Sequence, residues 1–219
     1  MDSDFWRARW RENEIGFHQA HYNPWLLKFW SELGVPPGAE VFVPLCGKSQ
    51  DLHWLAEQGF AVQGIELVDL AIEAYFTERQ EAFHKDNRGR FQCYRSANTE
   101  ILCGDFFELT VNHLNAPAAV FDRAALIALP DKLRARYADH LLRIIPDAAQ
   151  ILLLTLEYPQ DLVQGPPFSV MPEEVTIHFE ERCSVRRLHS QATHVLPPKF
   201  AAAGVEQAVE SIYQIVKER

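Results

Sequence analysis

Apolar runs long enough to cross a bilayer are missing: the longest strongly apolar stretch, Ile151 to Leu154, falls far below the ~20 residues a spanning helix needs. No membrane partner is expected. Cysteine is sparse, with four residues in 219. Cys46, Cys93, Cys103 and Cys183 lie far apart with no Cys-x-x-Cys pair, so neither a zinc ribbon nor a disulfide framework is signalled, and reduced, mostly buried thiols are expected. Positive charge is in deficit, 21 Lys and Arg against 30 Asp and Glu for a net −9. That balance repels phosphate backbones and anionic lipid, so nucleic acid is not an expected partner. The basic clusters Arg7, Arg9, Arg11 and Arg182, Arg186, Arg187 are mixed with acids and read as solvated faces. His18 and His21 share a helical spacing but lack a third ligand candidate, so no metal is expected. The N-terminus, Met1-Asp2-Ser3-Asp4-Phe5-Trp6-Arg7, is acidic and aromatic where an export signal would be basic and then apolar, which points to a cytoplasmic protein.

What is present is an ordinary globular composition, 47% apolar and 23% charged, at a length that suits one sizeable domain. The expectation is a single domain over residues 1–219, with a helical cover at 1–34 and a sheet core at 39–219. Gly34-Val35-Pro36-Pro37-Gly38 separates the two. Asn23-Pro24 reads as an N-cap with proline at the first helical position, and Gly34 as the stop. Short apolar runs then alternate with helical patterns: a strand at 41–43, a helix through Leu52, Leu55 and Ala56 to Gly59, a strand at 61–67, and a helix capped by Asp69 with Ile72, Tyr75, Phe76 and Phe83 on one face. Asp86-Asn87-Arg88-Gly89 reads as a turn, and 91–96 with 99–103 as a hairpin. Strands at 118–122 and 151–156 flank a helix carrying Leu133, Tyr137, Leu141 and Ile144. A short helix near 173–179 and a β-like stretch at 182–188 follow, while 205–216 fits helix and strand periodicity equally. Such alternation argues for an α/β fold with a parallel sheet covered by helices on both faces.

In open parallel sheets, ligands bind beyond the carboxyl ends of the strands. Four places there hold chemistry-bearing residues. Pro44-Leu45-Cys46-Gly47-Lys48-Ser49 joins a strand to a helix and could present backbone amides to an anionic or carboxylate group. It is not a Walker loop, because the required earlier glycine is Phe42, and it is not a dinucleotide fingerprint, because Gly47 is the turn's only glycine. Glu66 ends the second strand, where α/β folds bind a ribose diol with a carboxylate, although a solvated strand-end acid would look the same. Asp105 and Phe106 could recognise and pack an adenine ring, or Phe106 could pack in the core. Asp122 and Arg123 emerge after the fourth strand of this reading. Gly165-Pro166-Pro167-Phe168 follows the fifth strand, not the fourth, and reads as a rigid turn or lid. No Gly-x-Ser-x-Gly elbow supports a hydrolase.

Taken together, Phe5-Trp6, Trp10, Ile15-Gly16-Phe17-His18-Gln19, Phe42-Val43-Pro44-Leu45-Cys46-Gly47-Lys48, Gly64-Ile65-Glu66, Phe121-Asp122-Arg123-Ala124-Ala125-Leu126 and Gly165-Pro166-Pro167-Phe168 resemble the thiopurine S-methyltransferases, particularly bacterial members, over essentially the whole chain. The resemblance implies a Rossmann-like fold binding S-adenosyl-L-methionine, with a mostly parallel seven-stranded sheet, an antiparallel seventh strand that turns 205–216 toward strand, and an N-terminal helical lid. It further implies cofactor contacts at Trp10, Leu45, Glu66 and Arg123, an adenine-side loop at Asp105 and Phe106, and acceptor contacts at Phe17 and Arg123. The implied reaction is methyl transfer to the sulfur of thiopurines or aromatic thiols, with selenium or tellurium compounds as further acceptors. The implied partner is a small-molecule thiol, and a monomer is expected.

An in-line displacement by an already acidic thiol needs alignment more than acid–base help, so no residue is assigned a catalytic role of its own. Two alternatives carry the same Glu66 chemistry: a nicotinamide-dependent oxidoreductase, disfavoured by the missing glycine fingerprint, and a non-catalytic adenosyl-ligand-binding protein.

Overall fold

Residues 3–194, 196 and 198–218 are described by a computed structural model of the chain. The chain divides into two compact units at the Phe121–Asp122 peptide.

The first unit opens with α1 (Ser3–Arg11) and α2 (Pro24–Phe29), the latter running into a 3-10 turn at Trp30–Leu33. The Asn23 side chain accepts from the Trp25 and Leu26 amides, Pro24 takes the first helical position, and Gly34 ends the segment at φ 64°, as its sequence predicts. Strand β1 (Glu40–Val43), α3 (Gln50–Glu57), β2 (Ala61–Glu66), α4 (Asp69–Glu78), β3 (His84–Arg88), β4 (Phe91–Arg95) and β5 (Thr99–Cys103) follow, and β6 (Ala119–Arg123) carries the chain into the second unit. The strand order is β3-β4-β5-β2-β1-β6. β1 pairs in parallel with β2 and β6, and β2 with β5, while β4 runs antiparallel to both β3 and β5.

In the second unit, a 3-10 turn at Leu126–Ala128 precedes α5 (Asp131–Ile144), β7 (Gln150–Glu157), α6 (Pro172–Phe179), β8 (Cys183–Thr193), α7 (Pro198–Ala202) and β9 (Ala208–Lys217). β9 pairs antiparallel with β7 on one side and β8 on the other, so the segment of ambiguous periodicity is a strand. α5 buries Tyr137, Ala138, Leu141, Leu142 and Ile144 on its apolar stripe.

Three expectations need correction. Among the described residues nine strands form rather than seven, and the described pairings are mixed: three are parallel and four antiparallel. The additional strands are β3 and β4, an antiparallel ribbon laid along β5, where the predicted hairpin gains an outer strand. Asp86, Asn87 and Arg88 therefore sit in β3, and the turn falls at Gly89, φ 63°. Arg88 and Arg95 both bond the buried Glu100 carboxylate, so cross-strand ion pairing overrides the turn preference of Asp and Asn. Asp69 is the first residue of α4 rather than its cap, and Phe83 lies beyond the helix, stacked on Phe76 at 4.8 Å after the chain reverses at Gln80. The β-like stretch at 182–188 extends to Thr193. All four cysteines are free, and only Cys103 is not fully buried.

Candidate functional site

The loop after β1 is built around two left-handed residues, Leu45 at φ 46° and Gly47 at φ 53°. A left-handed backbone is ordinary for glycine and strained for leucine, so Leu45 persists only because its surroundings fix it. The fixing is done from β2. The Cys46 amide donates to the Ile65 carbonyl at 3.0 Å, and the Gly47 amide donates to Glu66 Oε2 at 2.8 Å. Ser49 caps α3 by accepting from the Asp51 amide. Lys48 reaches away to Glu78 at 2.5 Å.

Glu66 is the hub. Its other oxygen accepts from the Val68 amide at 2.9 Å, which closes the turn into α4, and its carbonyl accepts from Gly104 N at 2.9 Å. The side chain is buried, and loss of water pushes its carboxyl above the usual range while the backbone amides pull it back. Two carboxylate oxygens offer about four lone-pair sites, and the two side-chain hydrogen bonds described leave capacity for the hydroxyls of a diol.

Aromatic residues wall this loop. A Cβ on Gly47 would lie 3.1 Å from Trp10 Cζ2, so the Trp10 ring rests directly on the glycine. Trp10 packs with Val68 and Ala71, and with the partly buried Trp6, Ile15, Phe17 and Leu67. Phe17 meets Trp6 and Trp10 edge-on, both at 5.7 Å between ring centres. Trp10, Phe17, Leu45 and Glu66 are thus gathered around one loop.

Asp105 follows β5 and accepts from the Phe107 amide at 2.9 Å, so one of its oxygens caps a 3-10 turn. Phe106 is buried to 2% exposure and meets Phe107 edge-on at 5.4 Å, leaving Phe107 the more accessible ring. In the second unit, Asp122 is fully buried, accepts from the Tyr137 hydroxyl at 2.7 Å and the Leu126 amide at 3.1 Å, and is pushed by burial to a pKa of about 6. Arg123 is the last residue of β6, followed by the left-handed Ala124 at φ 65°.

Sequence reasoning gave Gly64 and Gly104 no steric role. A Cβ on Gly104 would lie 2.4 Å from the Phe91 ring, and one on Gly64 would lie 2.8 Å from Cys46 Sγ. The available signal was a glycine inside or just after a strand pattern, which marks a close approach of neighbouring groups.

A family model for thiopurine S-methyltransferase matches residues 1–218. The chain belongs to the thiopurine S-methyltransferase family. A relative of that description from Nitrosospira multiformis is 44% identical, the match covering 99% of this chain and 98% of the relative. Another from Pseudomonas syringae pv. syringae is 45% identical over 100% and 99% of the two chains. Among solved structures, an S-adenosylmethionine-dependent methyltransferase from Anabaena variabilis superposes with a TM-score of 0.66 at 14% identity, covering 99% of this chain and 95% of that one. A Burkholderia thailandensis N1-methyltransferase, solved with 1,6-didemethyltoxoflavin and S-adenosylhomocysteine, gives 0.65 at 14% identity over 99% and 87%. The fold is therefore that of the S-adenosylmethionine-dependent methyltransferases, and family membership decides against the nicotinamide-dependent oxidoreductase. S-adenosylmethionine is the family's cofactor, and the residues around Glu66 fit it: a buried carboxylate with spare acceptor capacity suits a ribose diol, beside a glycine turn roofed by an aromatic ring. Among the described residues, no helix is long and apolar enough to cross a membrane, and no cluster of three or more metal-ligating side chains occurs.

Proposed function

We propose that this enzyme transfers a methyl group from S-adenosylmethionine to the sulfur of thiopurines or aromatic thiols, and that selenium or tellurium species are further acceptors. The observation that carries the cofactor side is the buried Glu66 carboxylate, fastened by the Gly47 and Val68 amides. When bound, the cofactor supplies an electrophilic methyl group on a sulfonium centre. Glu66 would hold the ribose, the Leu45–Gly47 backbone the amino-acid end, and Asp105 with Phe106 the adenine side. Trp10 closes over the loop as part of the N-terminal lid, and Phe17 and Arg123 would meet the acceptor, Arg123 also reaching the cofactor.

The chain's contribution is alignment and exclusion of water. A thiolate meeting a sulfonium loses charge on the way to products, so a dry aromatic wall such as Trp6, Trp10 and Phe17 favours transfer. Arg123 would steer an anionic acceptor. The protein acts alone as a monomer in the cytoplasm, on a small-molecule thiol.

Incubation with methyl-labelled S-adenosylmethionine and 6-mercaptopurine tests this reading. Label is expected in the methylthio product, and it should fall at least tenfold in Glu66→Ala through weaker cofactor binding and in Arg123→Ala through slower turnover. Labelled cofactor retained with no transfer to any thiol, selenium or tellurium species would instead identify a non-catalytic adenosyl-ligand-binding protein. Arg123→Ala with unchanged cofactor affinity and turnover would remove that residue from the site.

A further inference from the structure

The cofactor loop contains a single glycine, whereas close approach of backbone to a nucleotide commonly draws on several. The structure supplies the missing space on the neighbouring strand. Gly64 sits in the middle of β2, paired with Val43 on one side and Ile101 on the other, with no left-handed φ to require a glycine. Its reason is steric. A Cβ there would lie 2.8 Å from Cys46 Sγ, 3.2 Å from Leu52 Cδ2 and 3.5 Å from Ile101 Cγ1, so the thiol of the loop occupies the place of the side chain that β2 lacks.

Cys46 is unsuited to nucleophilic work. It is buried, and desolvation together with the nearby Glu66 charge raises its thiol well above the ordinary range, which leaves it protonated and inert. Its backbone has a different use. The Cys46 amide bonds the Ile65 carbonyl, and the next amide, Gly47, bonds the Glu66 carboxylate. A side chain seated over Gly64 therefore sets the height at which Gly47 meets Glu66.

We propose that Cys46 and Gly64 form a lock, thiol in hole, that positions the Glu66 carboxylate for the cofactor. Cys46 is a positioning residue acting through Gly47, and Gly64 is its keyhole. The proposal rests on the reading of Glu66 as the ribose-binding carboxylate. It also accounts for the Pro-Leu-Cys-Gly-Lys turn: the space that other loops obtain from their own glycines is provided here by Gly64 of the adjacent strand.

The lock predicts reciprocal rescue. Gly64→Ala forces the thiol out, Cys46→Ala empties the hole, and Cys46→Ala/Gly64→Ala lets the new methyl group occupy the space the sulfur held. Affinity for S-adenosylhomocysteine, measured by calorimetry, is expected to fall at least tenfold in Gly64→Ala and about threefold in Cys46→Ala. It should return to within about threefold of the parent in the double variant. Hydrogen exchange of the Gly47 and Val68 amides, read by NMR without ligand, should quicken in each single variant and slow again in the double. A Gly64→Ala defect that persists or deepens in the double variant, or Cys46→Ala with parental affinity and exchange, overturns the lock. Glu66→Gln separates the two ideas. If it binds S-adenosylhomocysteine like the parent, the ribose reading fails, while the exchange pattern still decides whether Cys46 and Gly64 place the carboxylate.

Discussion

The loop that follows β1 and the loop that follows β7 differ in what holds them. Residues 44–49 are fixed by backbone: amides of Cys46 and Gly47 bond the adjacent strand, two residues adopt left-handed φ, and Ser49 caps the next helix. Residues 158–171 are held in large part by side chains, some from the loop itself and some from elsewhere in the second unit, beside backbone bonds from Phe168 to Ile127 and from Val170 to Leu156. Arg134 of α5 donates to the Ser169 carbonyl at 2.7 Å and pairs with Glu174 at 3.1 Å, the Tyr158 hydroxyl donates to the Pro167 carbonyl at 2.7 Å, and Lys199 donates to that of Pro166. Gln160 bonds both the Val163 carbonyl and the Ser169 amide. A backbone-held loop keeps its shape through many side-chain changes but suffers from a Cβ in the wrong place. A side-chain-held loop depends on a few particular side chains, here its own Tyr158 and Gln160 and the distant Arg134 and Lys199.

The largest expected effect therefore comes from removing a distant tether. Arg134→Ala leaves the Ser169 carbonyl and Glu174 without a nearly buried cation, and breaking such a pair costs about 3–5 kcal/mol. Urea unfolding should show a loss of that order; a change under about 1 kcal/mol would mean the loop holds itself. Next is Asp122. Its pKa is raised from 3.8 to about 6, so the folded state binds the proton more tightly than the unfolded one. The associated stability is complete below pH ~4 and is lost as pH rises through about 6, about 3 kcal/mol in all. Asp122→Asn should flatten the stability profile between pH 4 and 7, and an unaltered slope would place the titration elsewhere. Smaller again is Gly47→Ala, which puts a side chain at φ 53° and against Trp10. About 1–2 kcal/mol of stability should go, together with S-adenosylhomocysteine affinity, whereas substitutions at the exposed Leu162 of the second loop should change both by less than about 0.5 kcal/mol. The smallest loss at a hydrogen-bonded position is at Asp105, where alanine removes the cap and should cost about 1 kcal/mol. Asp105→Ser keeps a capping oxygen and should recover the stability but not the adenine-side affinity. Recovery of both would limit Asp105 to capping.

The same contrast governs what the sequence disclosed. Local rules work where neighbours in sequence satisfy one another: Asn23-Pro24, Gly34 and the stripe of α5 all appear where expected. Glu66 was legible because it stands at a strand end beside the turn it serves. β3 was not, because Asp86 and Asn87 favour turns on their own and become a strand only through pairing with β4 and the Arg88–Glu100 and Arg95–Glu100 bridges. Gly64, although part of the Gly64-Ile65-Glu66 segment, and Gly104 gave no hint of their steric role, since the groups that need their missing side chains, Cys46 and Phe91, lie on other segments of the chain. Arg134 gave no hint of its role, as the carbonyl it binds lies 35 residues away. The C-terminal strand could not be told from a helix by periodicity; only its place between two partners makes it β.

That placement also has a bearing on biosynthesis. β7 and β8 leave the ribosome first, yet the strand that joins them is β9, which pairs with both along nearly its whole length. Until residues 208–217 emerge, β8 is an eleven-residue ribbon without its partner and β7 shows an open edge, the kind of surface that invites pairing with other chains. Nascent chains arrested before residue 208 are therefore the species most in need of a chaperone, and the arrival of β9 is the event that ends the exposure.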